Sequence, residues 1–164
     1  MVEKRKEVLL KLRNNSWDEE SWFLPLADAL ENINAAQAAW QPPGGGNTIW
    51  QTLNHLNYFN ERYLAVIKGE VLGEPLDTNE ATFGAPGNGE DERGWRATVQ
   101  KTRDIMDDFK ETINRLSEDD LDNRNLDVNL PDIMMHDAYH IGQIVLIRKM
   151  QGSWTSERNM GEMW

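Results

Sequence analysis

The chain has 164 residues, 39% of them apolar, and its 28 acidic against 17 basic residues give a formal net charge of −11. That size and composition fit one domain spanning residues 1–164 with a substantial core, and the charge argues against nucleic acid as a partner, because it repels phosphates and gains nothing from counterion release. Cysteine is absent, which removes disulfides, thiolate ligands and a cysteine nucleophile.

No window approaches the roughly 18 uninterrupted apolar residues of a membrane span. The opening run MVEKRKEVLLKLRNN alternates charge with Leu and Val and has no apolar signal core. A soluble, cytoplasmic protein with no membrane partner is therefore expected.

In chain order the apolar period is helical nearly everywhere. Val8, Leu9, Leu12, Trp17, Trp22, Phe23, Leu26 and Leu30 follow mostly three- or four-residue steps, so one long first helix is expected from Val2 to Ile33, kinked or broken near Asn14-Asn15-Ser16 and Pro25. The run QPPGGGN, Gln41 to Asn47, can only be loop. Thr48 and Gln51 then form a Thr-x-x-Gln capping box that opens a second helix, with Gly69 as its stop. From Glu70 to Gly94 a Gly- and Pro-rich connection follows that is long for a bundle. A third helix is expected from Trp95 to Leu116, and an acidic, Asn-rich link leads to a fourth, with Pro131 in its first turn and Gly152 at its end. Four long helices and no convincing strand predict an all-α bundle.

The only three histidines are His55, His136 and His140. His136 and His140 stand four apart on the fourth helix and so share a face. At about 100° per residue, Gln143 and Ile147 fall on the same stripe. On the second helix the stripe through His55 includes Thr48, Gln51, Phe59 and Arg62, with Tyr58 at its margin. A lone histidine on an apolar face is more often a hydrogen-bonded core residue. An H-x-x-x-H pair joined by a third histidine from another helix instead points to a divalent metal held by neutral imidazoles, with zinc and nickel the leading ions and iron next. Three protein ligands leave a position for an exchangeable one, as in catalytic sites.

The patterns NTIWQTLNHLNYF and HDAYHIGQIVLIRKM, with the Trp40, Pro42, Pro43 and glycine loop, resemble the DinB/YfiT-like family of bacterial metal-binding four-helix bundles over about residues 21–151. The resemblance implies an up-down-down-up bundle, frequent homodimers, and metal-ligand roles for His55, His136 and His140. Relatives include transferases that join low-molecular-weight thiols to electrophiles, a thiol-dependent isomerase and metal-dependent hydrolases. The leading expectation is a metal-dependent enzyme that activates a cellular thiol for S-transfer to a small-molecule substrate. A hydrolase using metal-bound water and a non-catalytic metal-binding stress-response protein are the alternatives.

Supporting residues are weighed against plainer roles. Gln143 could bond a metal-bound water or substrate, and Tyr58 or Tyr139 could donate a proton, although a buried aromatic with a satisfied hydroxyl is the commoner reading. Asn54 and Asp137 could fix imidazole tautomers. Arg62 is expected to pair with an acidic side chain, and Trp40 and Trp50 could line a pocket mouth. HDAYH also approaches the zincin motif H-E-x-x-H. That reading needs Asp137 as base and Glu157 or Glu162 as third ligand, and leaves His55 idle.

Overall fold

The computed structural model describes residues 2–154. Their secondary structure is seven α-helices and one 3-10 turn, with no strand among the described residues, so the fold class is all-α. The helices are α1 (Val2–Trp17), α2 (Leu26–Ala29), α3 (Ala35–Ala38), α4 (Ile49–Lys68), α5 (Glu92–Arg115), α6 (Glu118–Asn123) and α7 (Leu126–Met150), with the 3-10 turn at Glu80–Phe83 between α4 and α5.

The first expected helix is broken. α1 ends at Trp17, where the amides of Asp18 and Glu19 both donate to Asn14 O. The chain then makes only single turns at α2 and α3, the second opened by an Asn34/Gln37 capping box. α4 matches its sequence signals: Thr48 and Gln51 cap each other reciprocally, and Gly69 takes φ +72°, which lets the amides of Gly69 and Glu70 reach Val66 O and Ala65 O.

α7 begins five residues before Pro131, which therefore sits inside the helix rather than in its first turn. Burial of Leu126 and Leu130 offsets the backbone hydrogen bond that proline forfeits. The acidic stretch read as a link contains α6, capped by Ser117 and Asp120, and Asn125 at φ +49° turns the chain from α6 into α7. At the other end Gly152 follows the C-cap, with Ser153 N–H donating to Arg148 O.

Ion pairs and hydrogen bonds give the sense of the four long helices. Arg5 to Asp127 and Arg13 to Asp137 align α1 with α7 in the same direction. Asn57 to Thr98, Glu61 to Lys101 and Lys68 to Asp108 align α4 with α5. Lys6 to Asn114 O and Lys110 to Asp18 set α1 against α5 in opposite directions.

The apolar interior falls into two clusters. One gathers Trp17, Leu26, Ile49, Leu53, Leu56, Trp95, Met106 and Ile144, and the other Leu9, Leu64, Ile67, Phe109, Ile113, Leu121, Leu130 and Met134. Between these levels lies a polar layer. Arg13 and Asp137, both fully buried, pair at 2.6 Å, Asn60 Nδ2 donates to Asp137 Oδ1 at 2.7 Å and Asn60 Oδ1 accepts from Arg13 at 3.2 Å, and the Arg13 guanidinium lies 4.2 Å over the Phe109 ring. A buried charge pair is offset better when further hydrogen bonds reach it. The Asn60 amide bonds both partners, although Arg13 Nε is buried without one, and the three-way contact fixes α1, α4 and α7 against one another beside His136.

Candidate metal centre

His55 projects from α4, while His136 and His140 project from successive turns of α7. One nitrogen from each ring lies within 4.8 Å of the others, the one such group of three among the described residues. His55 and His140 are buried, and His136 keeps 29% of its side-chain surface exposed. The Nε2 atoms of His55 and His136 are 3.0 Å apart. Two nitrogen lone pairs at that distance need a proton or a cation between them.

The hydrogen bonds decide which nitrogens are free. Thr82 Oγ1 lies 2.5 Å from His55 Nδ1 and 2.5 Å from Asn79 O. A carbonyl only accepts, so the Thr82 hydroxyl donates to Asn79 and accepts from His55 Nδ1–H, leaving the His55 Nε2 lone pair free. Gln143 Oε1, 2.7 Å from His140 Nδ1, likewise accepts from it and frees His140 Nε2. His136 Nδ1 is buried without a hydrogen-bond partner, 3.8 Å from Asp137 Oδ1.

The electrostatics favour neutral rings at His55 and His140. Burial first, then repulsion from His140 and His136, lowers the His55 pKa to about 4. Burial also lowers that of His140, although the Gln143 bond opposes it. For these two residues, proton competition therefore begins below the ordinary histidine value near 6.5.

Aromatic rings close the sides. Phe83 stacks on His55 at 4.0 Å between centroids, Phe59 meets His55 edge-on at 4.9 Å and His136 at 5.4 Å, and the exposed Tyr139 ring stands 5.0 Å from His140. Thr82 and Phe83 come from the 3-10 turn, so the long connection packs onto the histidines. α4 side chains hold it there. Asn54 donates to Phe83 O, Gln51 to Gly84 O and Thr48 to Pro86 O. Gly87, at φ +90°, lies so close to Trp50 that an added Cβ would come within 2.5 Å of the indole.

Several sequence expectations find other positions. Gln143 spends its carbonyl on His140, which makes it a ring-orienting residue. The Tyr58 hydroxyl accepts the Leu76 amide at 2.9 Å, and Arg62 donates to Gly73 O at 3.1 Å instead of pairing with a carboxylate, so both tie down the connection. Asn54 binds backbone rather than a ring. Trp50 is in the core beside Trp95, and Trp40 packs on the same cluster, so neither forms a free mouth. Asp137 is turned inward onto Arg13 and Asn60, out of position for a zincin base, while His55 joins the pair that such a reading leaves to two ligands. Glu157 and Glu162 lie outside the described residues.

Sequence reasoning missed Thr82, Phe83, Arg13 and Asn60. Arg13 left a signal: Leu9, Arg13 and Trp17 are spaced by four, which puts the arginine on the inner stripe of α1. Thr82-Phe83 left only a faint one, a large apolar side chain within a polar connection.

A family model described as the DinB superfamily matches residues 25–144. The chain belongs to the DinB superfamily. No curated protein and no solved structure matches it. The matched span of this DinB-superfamily chain contains the three histidines together with Thr82, Phe83, Gln143 and the α4–α5 connection, but leaves out α1 and its Arg13. No helix among the described residues is long and apolar enough to cross a membrane.

Proposed function

We propose that the protein is a single-domain, up-down-down-up four-helix bundle in which His55, His136 and His140 hold a divalent metal ion, zinc or nickel before iron, and that it activates a low-molecular-weight thiol for S-transfer to an electrophile. The observation that carries the metal reading is the hydrogen bonding of the rings: Thr82 and Gln143 hold the Nδ1 protons of His55 and His140, so their Nε2 lone pairs remain for a cation. The donor set suits such an ion, and the unpartnered buried His136 Nδ1 leaves that ring free to settle on one. When bound, the ion would supply a positive charge that favours the anionic form of a thiol or of water.

The chain's own residues would do the rest. Phe59 and Phe83 exclude water from two sides of the rings, and His136, the most exposed of the three, faces the side from which a substrate enters. In the transfer the thiol sulfur forms a bond to the electrophilic carbon, the leaving group departs with its electron pair, and the thiol proton passes to solvent. The absence of cysteine from the chain fits a thiol brought from outside.

Cobalt-substituted protein tests the reading against its alternatives. A sulfur-to-cobalt charge-transfer band on addition of 2-mercaptoethanol, lost in His55→Ala, supports thiol activation. A spectrum changed by azide but not by thiol favours a hydrolase, and one changed by neither favours a non-catalytic metal-binding protein.

We also propose a homodimer through the outer face of α7. Met135, Tyr139, Leu146 and Met150 are 67%, 66%, 58% and 48% exposed, and their spacing is symmetric about Gly142 and Gln143. A copy related by a two-fold axis there would set Met135 against Met150 and Tyr139 against Leu146. Nothing lies within 4 Å of the space above Gly142, which permits close helix approach. Because Tyr139 covers the outer edge of His140, this interface would also shield the candidate centre.

A further inference from the structure

A cavity of about 600 Å³ opens between α4 and α7 with His136 in its wall. From His136 back to Leu126 it follows ten residues of α7, about 15 Å at the helical rise. Its walls are mostly apolar, with Phe59 and Val66 on α4 and Leu126 and Ile133 on α7. Two charged residues line it, and they are not equivalent. Arg124 is already committed, donating to two carbonyls in the last turn of α4, Ile67 O at 2.9 Å and Val66 O at 2.6 Å, with Asp120 3.4 Å away. Asp132 has no hydrogen-bond donor or cation paired with it among the described residues. The neighbouring Tyr63 phenol is pushed up by burial and by Asp132, so it stays neutral.

From this asymmetry we propose that the groove binds the electrophilic substrate of the three-histidine site, and that this substrate has an aromatic or branched apolar body and a protonated amine placed against Asp132, with no anionic group lying in the groove. The walls take the body, the one uncommitted charge is negative, and the one cation would have to abandon backbone carbonyls to meet an anion. The net charge of −11 adds to the selection against anions. This specificity rests on the metal reading for its function, but the groove and its charge do not.

The test is an NMR titration of the full-length, zinc-loaded protein with 2-phenylethylamine, 2-phenylethanol and 3-phenylpropionate, three probes of similar body and different charge. The amine should bind tightest and the carboxylate weakest. Asp132→Asn should weaken the amine about threefold to fivefold, the scale of an exposed ion pair, and leave the alcohol unchanged, while Val66→Trp should weaken both. In chelator-treated protein, where no ion can take it, a carboxylate that binds as tightly as the amine would overturn the proposal, as would an order unaffected by Asp132→Asn or saturable binding by none of the probes. Repeating the titration on chelator-treated protein separates the two failures: if the histidines hold no zinc, the charge order is still read in the groove, and if zinc is bound without a charge order, the groove proposal alone fails.

Discussion

Replacing Thr82 by valine keeps the side-chain shape and removes one oxygen, and that oxygen is what fixes the proton of His55. In the native chain Thr82 Oγ1 is 2.5 Å from His55 Nδ1, and His55 is 2% exposed, so no water can stand in for the lost acceptor. Two costs follow. A buried Nδ1–H without a partner destabilises the metal-free fold by about 1–3 kcal/mol. With no acceptor to hold the proton on Nδ1, the ring also spends part of its time with Nε2 protonated and closed to a metal, and loss of such an outer partner typically lowers metal affinity about 10- to 100-fold. Thr82→Ser, which keeps the hydroxyl, should recover most of both effects. Zinc affinity by competition with a chromophoric chelator, beside urea unfolding of the metal-free proteins, measures the two costs separately. A Thr82→Val protein that binds zinc within twofold of native would show that Thr82 does not hold the His55 tautomer.

Three further outcomes follow from other parts of the molecule. In chelator-treated protein the unfolded chain takes up protons near pH 6.5 while folded His55, its pKa lowered to about 4, does not. Stability should therefore fall as pH drops from 7 to 5, His55 contributing on the order of 3 kcal/mol over its full range, and urea unfolding of His55→Leu should show a shallower slope; equal slopes would contradict the assignment. Arg13→Met leaves Asp137 charged and buried without a cation, held only by the Asn60 amide, which should cost about 3–5 kcal/mol in urea unfolding, with much of it recovered by adding Asp137→Leu. A single-variant cost below about 1 kcal/mol would mean that the polar layer is not energetically coupled. Leu146→Asp should convert the proposed dimer to monomer in sedimentation equilibrium, and a native chain that sediments as a monomer at millimolar concentration would remove the α7 interface.

How far the sequence carries depends on whether a feature is local. The bounds of α4 were legible because Thr48, Gln51 and Gly69 act within a turn of themselves, and the H-x-x-x-H pair was legible because helical spacing alone puts two rings on one face. The start of α7 was not. Proline chemistry points to residue 131 as a first turn, but Leu126 and Leu130 gain enough burial against the rest of the fold to extend the helix past it, a tertiary effect with no local mark. The same holds for the connection, whose glycines and prolines show that it is irregular but not where it goes. Its path is set by α4 side chains such as Asn54 and Gln51, and only the folded chain brings Thr82 to His55. Asp137 shows the converse: the sequence places it beside a ligand, while its partner Arg13 is 124 residues away and turns it toward the core.

The proposed centre requires three histidines from two helices to share one ion. Metal content by inductively coupled plasma mass spectrometry, on untagged protein reloaded with zinc, nickel or iron and on His55→Ala and His136→Ala, tests it most directly. Close to one equivalent per chain is expected in the native protein, with loss in both variants. No metal in the native protein, or full retention in His55→Ala, would contradict it.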